Sequence, residues 1–166
     1  SEISIKNSLH DIIKNHSQNI FVSTFSSNVH RIQTLVDICA EENIPIIAIG
    51  RSMKSYIEVG LDTCHLTESR KIHFELGPEI SKSNKKLFIL SGCQADFRSA
   101  LRRVITGTDK YITPKAGDAL IMSSKAIPGN EKKVGMILNK ASELGLHLYT
   151  AHNSEVHVSG HPGKED

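Results

Sequence analysis

The chain has 166 residues, of which 39% are hydrophobic and 23% charged; that is enough apolar mass for a single domain with its own core and too much for a disordered chain. Its formal net charge of +2 excludes a polycation that holds nucleic acid by bulk charge, so any such contact must come from a local patch. No apolar run reaches the length of about 18 residues that a membrane-spanning helix needs, and Cys39, Cys64 and Cys93 form neither a C-x-x-C zinc pattern nor a disulfide framework, so a reducing, cytoplasmic setting is expected.

Residues 4–16 carry Ile5, Leu9, Ile12 and Ile13 at helical spacing. Asn19-Ile-Phe-Val-Ser-Thr-Phe25 has the β-branched and aromatic content of a buried strand. Asn28 is a suitable N-cap for a helix with Val29, Ile32, Leu35, Val36 and Cys39 on one face and Arg31, Gln33, Thr34, Asp37 and Glu41 on the other. Asn43-Ile-Pro45 ends it. Ile46–Ile49 reads as a second strand, Gly50-Arg-Ser52 as its exit turn, and Met53–Gly60 as a short helix. From Leu61 to Lys85 the pattern is weakest, with Ile80–Asn84 read as a helix end and loop. A third strand, Lys86–Leu90, runs into Ser91-Gly-Cys-Gln94, and a helix bearing Leu101, Val104 and Ile105 closes at Gly107. The turn Lys115–Asp118 precedes a fourth strand, Ala119–Met122. The loop Ser123–Asn130 follows, with Asn130 placed to cap a helix that spaces Val134, Ile137, Leu138, Ala141 and Leu144 along one face. Leu146–Tyr149 is a fifth strand.

The last residues are His157-Val-Ser-Gly-His-Pro-Gly-Lys-Glu-Asp166. Gly160 and Gly163 let the backbone approach a ligand closely. Ser159 can donate a hydroxyl, and His161 can donate N–H or exchange a proton near neutral pH. Those groups suit a phosphate oxygen; the alternative is a polar surface turn. Lys164-Glu-Asp166 reads as the first turn of a helix, so the chain, 1–166, is expected to be one domain excised from a longer protein.

Short apolar strands alternating with helices predict an α/β fold, a mostly parallel, Rossmann-like sheet flanked by helices on both faces. In such sheets ligands sit outside the carboxyl ends of the strands. The post-strand loops should therefore gather Ser26, Asn28, Arg31, Arg51, Ser52, Gln94, Ser123, Ser124, Asn130, Ser159 and His161 along one edge. Two of the loops open onto helix N-termini, which favour anions. Each loop alone is an ordinary helix cap; their coincidence favours a phosphate-bearing ligand. Other residues have plainer readings. His30 is expected to pack at a helix start, His147 and His152 to lie at the surface, and His157 to orient its loop. Lys85-Lys86, Arg102-Arg103 and Lys132-Lys133 read as solvated faces, the alternative for each being the flank of an RNA path. Aromatics are 5% of residues with no Trp, which argues against a base-stacking platform.

Five segments carry a more specific likeness: Phe25-Ser-Ser-Asn-Val-His-Arg-Ile-Gln33, Gly50-Arg-Ser-Met53, Ser91-Gly-Cys-Gln94, Ile127-Pro-Gly-Asn130 and His157-Val-Ser-Gly-His161. In this order the chain resembles the beta-CASP domain of the ribonuclease J family, within the metallo-beta-lactamase superfamily of nucleases. The resemblance implies a cytoplasmic ribonuclease of RNA processing and decay. Such an enzyme cuts RNA internally and also degrades it 5′ to 3′ from a 5′-monophosphate end. It implies a metallo-beta-lactamase domain, absent from this chain, with RNA running between the two domains to a pair of zinc ions that activate water. By the same likeness His161 is the catalytic histidine at the scissile phosphate. Ser123, Ser124, Asn130, His157, Ser159 and Gly160 form the phosphate- and RNA-binding set, and Ser26, Asn28, Arg31 and Arg51 join it with the two arginines as phosphate partners by charge. A homo-oligomer is compatible with this likeness.

Three departures stand out. Gln94-Ala-Asp96 replaces the family's Gln-Gly-Glu, so that loop is expected to sit differently. Cys93 stands where serine is common. Pro162 follows His161 and stiffens its loop. No His-x-His-x-Asp-His stretch occurs among the nine histidines, so the resemblance puts the zinc ligands outside this chain and leaves the isolated domain inactive. A different class of function, a non-catalytic RNA- or nucleotide-phosphate-binding module, uses the same edge. Metal-ligand histidines elsewhere in the whole protein would separate the two.

Overall fold

Runs such as Ile20-Phe-Val-Ser23 and Leu87-Phe-Ile-Leu90 are apolar on both sides of the pleat, which requires a sheet covered on both faces. The computed structural model describes residues 1–150. In chain order it contains α1 (Glu2–Asn15), β1 (Ile20–Ser23), α2 (Val29–Glu42), β2 (Ile46–Ile49), α3 (Arg51–Asp62), β3 (Ile72–His73), α4 (Pro78–Ser81), β4 (Leu87–Leu90), α5 (Ala100–Thr106), β5 (Ala119–Met122), α6 (Glu131–Glu143) and β6 (His147–Tyr149). The strands form one six-stranded sheet in the order β3-β2-β4-β1-β5-β6. Every pairing is parallel; Ile20 of β1 lies between Leu87 of β4 and Ala119 of β5.

Alternate strand residues feed two cores. Ile20, Val22, Ile46, Ala48, Ile89 and Ile121 pack under α1, α2 and α3. Phe21, Ile47, Phe88, Leu90, Leu120 and Met122 pack under α5 and α6. Phe21 stacks on Phe88 with ring centroids 4.9 Å apart. The chain leaves β1 through α2 on one face and leaves neighbouring β5 through α6 on the other. That reversal opens a crevice at the carboxyl ends of the two strands.

The predicted α/β architecture is the one observed, with differences that have physical causes. The weakly patterned segment holds β3 and α4. Two residues of β3 suffice because it pairs only with β2 at the sheet edge. Arg31 and Thr34, expected on the open face of their helix, are buried. That face meets α1 and the β5 exit loop, so it is not solvated. His30, expected to be packed, has a side chain that is 73% exposed. Lys85 and Lys86 are not a solvated pair. The Lys85 Nζ donates to the Ile13 and Lys14 carbonyls at 2.5 and 3.2 Å, satisfying acceptors in the last turn of α1. The Lys86 Nζ donates to the Ser83 carbonyl at 2.6 Å. Ala95 sits at φ +59°, so the loop after β4 holds a left-handed conformation without a glycine, at a cost of about 1–2 kcal/mol.

Candidate nucleic-acid interface

β1 and β5 both run out of apolar residues into hydroxyls, Ser23-Thr24 and Ser123-Ser124, and all four are buried. The Ser123 N–H donates to the Ser23 carbonyl at 2.9 Å and the Thr24 N–H to the Leu90 carbonyl at 3.2 Å, so the sheet ladder carries these residues side by side. The hydroxyls of Ser23, Thr24 and Ser124 have no hydrogen-bond partner among the described residues. Each such group costs about 1–3 kcal/mol when left unsatisfied. Ser124 stands beside the Cys93 sulfur without completing a well-aligned bond. Burial pushes the Cys93 thiol up, and the neighbouring Ser124 and Gln94 pull it back in part.

Arg31 rises from the first turn of α2 into this seam. Its guanidinium donates to the Ser123 hydroxyl, and Nη2 lies 3.5 Å from a Glu2 carboxylate oxygen. Burial draws the Arg31 pKa down, and Glu2 opposes the shift. Arg31 therefore ties α1, α2 and the β5 exit together, and its charge reaches the edge through Ser123. Asn28 is committed as well: its Oδ1 accepts from the Arg31 N–H at 3.0 Å, capping α2.

The loop 123–130 is fixed by a residue from the next motif. The Gln94 side chain donates to the Lys125 carbonyl at 2.9 Å, and its Oε1 accepts from the Ile127 N–H at 2.6 Å and from Asn130 Nδ2 at 3.5 Å. Asn130 occupies the N-cap position of α6 without a side-chain cap bond; its amide turns to Gln94, which corrects the capping role expected for it. The Ser26 and Ser52 hydroxyls meet at 2.8 Å and join the exits of β1 and β2 across the end of β4. Arg51 is exposed and lines a separate cleft, so the two arginines grouped by charge do not act together.

Of the residues expected at this edge, Ser26, Asn28, Arg31, Gln94, Ser123, Ser124 and Asn130 are brought into one region. His157, Ser159, Gly160 and His161 lie outside the described residues. The sequence reading placed the stretch Ser23–Asn28 at this edge but gave Ser23 and Thr24 no part in the site, although a hydroxyl pair closing an apolar strand was the available signal. It also missed Glu2, whose sequence position carries no signal. Among the described residues no group of three His, Cys, Asp or Glu side chains stands together to hold a metal ion, so these residues do not provide a zinc site. No described helix is long and apolar enough to cross a membrane.

An all-parallel sheet sandwiched between helices, with its polar loops gathered at one edge, defines a doubly wound α/β domain. Residues 17–141 match the family model described as "Ribonuclease J, beta-CASP domain", and the chain belongs to that family. It is 32% identical over 166 residues to Ribonuclease J of Sinorhizobium meliloti, covering 100% of this chain and 29% of that protein. It is 31% identical over 168 residues to Ribonuclease J of Helicobacter pylori strain J99, covering 100% of this chain and 24% of that protein. Ribonuclease J of Mycolicibacterium smegmatis is 30% identical over 162 residues, 97% of this chain and 29% of that protein. The chain thus spans less than a third of the length of these curated relatives.

Proposed function

We propose that this domain is the RNA-binding wall of a ribonuclease active site, within a protein that cuts RNA internally and from 5′-monophosphorylated ends in the cytoplasm. The observation that carries the reading is the seam between β1 and β5. There, Ser23, Thr24 and Ser124 hold buried hydroxyls that have no hydrogen-bond partner among the described residues, beside the Arg31–Ser123 bond. Hydroxyl donors and a nearby guanidinium suit phosphate oxygens, and they position a strand without reading its bases. Gln94 holds the loop 123–130 in place, so that less ordering remains to be done on binding.

In this reading zinc supplies the activated water and is held by ligands beyond this chain. The role of this chain's residues is to bind and orient the phosphodiester. His161 donates a hydrogen bond to phosphate oxygens as they gain charge. Loss of one such donor costs about 10²–10³ in rate. In the complete protein, His161→Ala is expected to lower single-turnover RNA cleavage by about that factor while the fold and zinc content are retained. Ser159→Ala should act mainly on binding, losing about 1–3 kcal/mol. Wild-type cleavage by His161→Ala at saturating RNA would refute the catalytic role and leave a binding module.

A further inference from the structure

A second feature lies beside the seam, outside the carboxyl ends of β2 and β4. It is a cleft of about 1020 Å³ lined by Arg51, Phe97, Arg98, Arg102 and Arg103 among others. A neighbouring depression of about 640 Å³ includes Lys110 and Tyr111 and shares Gly50, Arg103 and Thr108 with the first, so the two form one groove. Of the described residues lining the larger cleft, Asp96 alone is acidic; the smaller depression adds Glu75 and Asp109, the latter facing Arg103. Arg103 is engaged, with Nε 3.4 Å from Asp109 and Nη1 donating to the Arg98 carbonyl at 2.7 Å. Arg51, Arg98 and Arg102 have no carboxylate partner among the described residues. The groove also carries two aromatic rings that the core does not use: Phe97 is 79% exposed and Tyr111 is 81% exposed. The Arg102 guanidinium lies 5.8 Å from the Phe97 ring centroid, so a cation already faces one ring.

Exposed large aromatics in a basic groove cost solvation unless something covers them. Anionic groups alternating with flat π faces are what a single-stranded nucleic acid presents. A duplex keeps its base faces stacked inside, and an acidic peptide or a phospholipid surface has none. We infer that this groove is a second RNA-binding subsite, taking an unpaired stretch of RNA with a base on Phe97, a further base on Tyr111 and phosphates on Arg51, Arg98 and Arg102. The inference rests on the ribonuclease reading and extends it. The bound strand continues from the β1/β5 seam, past Ser26 and Ser52, into the groove.

The test measures binding of a fluorescent, nuclease-resistant phosphorothioate oligouridylate with a 5′-hydroxyl to the complete protein, across a range of salt concentrations. A 5′-hydroxyl probe does not depend on recognition of a terminal phosphate. Phe97→Ala is expected to weaken binding about 5- to 150-fold, the loss of one stacked base, while Phe97→Tyr keeps it. Arg98→Ala with Arg102→Ala is expected to weaken binding and to reduce the slope of log K against log salt by about 1.4. Melting temperatures of all variants should match the wild type, because these side chains are outside both cores. If the wild type binds and both variants bind equally well with an unchanged slope, the subsite is refuted and the ribonuclease reading survives. If the variants lower the melting temperature and leave RNA binding intact, the groove is a contact with the rest of the protein, which also refutes it. If the wild type binds no RNA, the ribonuclease reading fails and the subsite with it.

Discussion

Arg31 shows how burial changes the meaning of a charge. At the surface it would be one phosphate ligand among several. Enclosed against Glu2 and Ser123, it becomes a positioning group whose charge is passed on through a hydroxyl. His16, at the opposite end of the sheet, carries a pH consequence. Its Nε2 is buried without a hydrogen-bond partner among the described residues, and its ring meets that of His147 edge-on at 5.9 Å. Burial first, then the nearby His147 and Lys85, hold its pKa below the ordinary 6.5, while Asp118 and the Gly117 backbone oppose this. The folded state therefore resists protonation, and the unfolded chain binds the proton first as pH falls. Stability is fully present above pH 6.5 and is lost as pH falls from 6.5 through the lowered folded value. His16→Asn should flatten that part of the curve, read as urea midpoints at a series of pH values. An unchanged slope would exclude His16 as its source.

At the scale of elements, the approach to α5 is the tightest built segment near the site. Ser99 caps α5, its hydroxyl accepting from the Arg102 N–H at 3.2 Å. Ser99→Ala should cost about 1 kcal/mol. Gly92 leaves β4 at φ +102°, and a Cβ there would sit 2.2 Å from Ser99 Oγ and 2.3 Å from Ser99 Cβ. Gly92→Ala therefore meets both a steric clash and an unfavourable backbone region. Its expected cost is about 2–5 kcal/mol by chemical denaturation. A Gly92→Ala variant within experimental error of wild type would show that the loop relaxes freely, and with it the floor of the arginine groove. The same loop places Gln94, which clamps 123–130, so one strained turn after β4 supports both the seam and the groove.

For the whole molecule, the net charge of +2 means that binding must be local. Among the described residues, the cations near the carboxyl edge include Arg31, held inside, exposed Arg51 and Arg98, and half-buried Arg102 and Lys125. A titration of the protein with a 5′-monophosphorylated oligonucleotide should be weak and should fall steeply with added salt. Amide shifts are expected at residues 123–130 and 157–161. Shifts confined to the opposite end of the sheet, around His16, Lys85 and His147, would count against the edge as the binding surface.

The sequence by itself determined the layered α/β class, because strands that are apolar on both sides of the pleat can only be buried between helices. It also determined the order of the long helices, since their periodic faces and the cap at Asn28 are local signals. The family was legible in five short motifs for the same reason: each is a short run of neighbouring residues. Only the tertiary structure decided which motif residues meet. The burial of Arg31 depends on α1 lying across α2, and Glu2 reaches it from 29 positions away in sequence. Gln94 reaches the loop 123–130 only because the exits of β4 and β5 stand on either side of β1 in the sheet. Phe97 and Tyr111, too few to register in a composition, become a groove only where the chain folds the exits of β2 and β4 beside them. Strand order in a parallel sheet is set by long crossovers that leave no local trace, so these meetings could not be read from the chain alone.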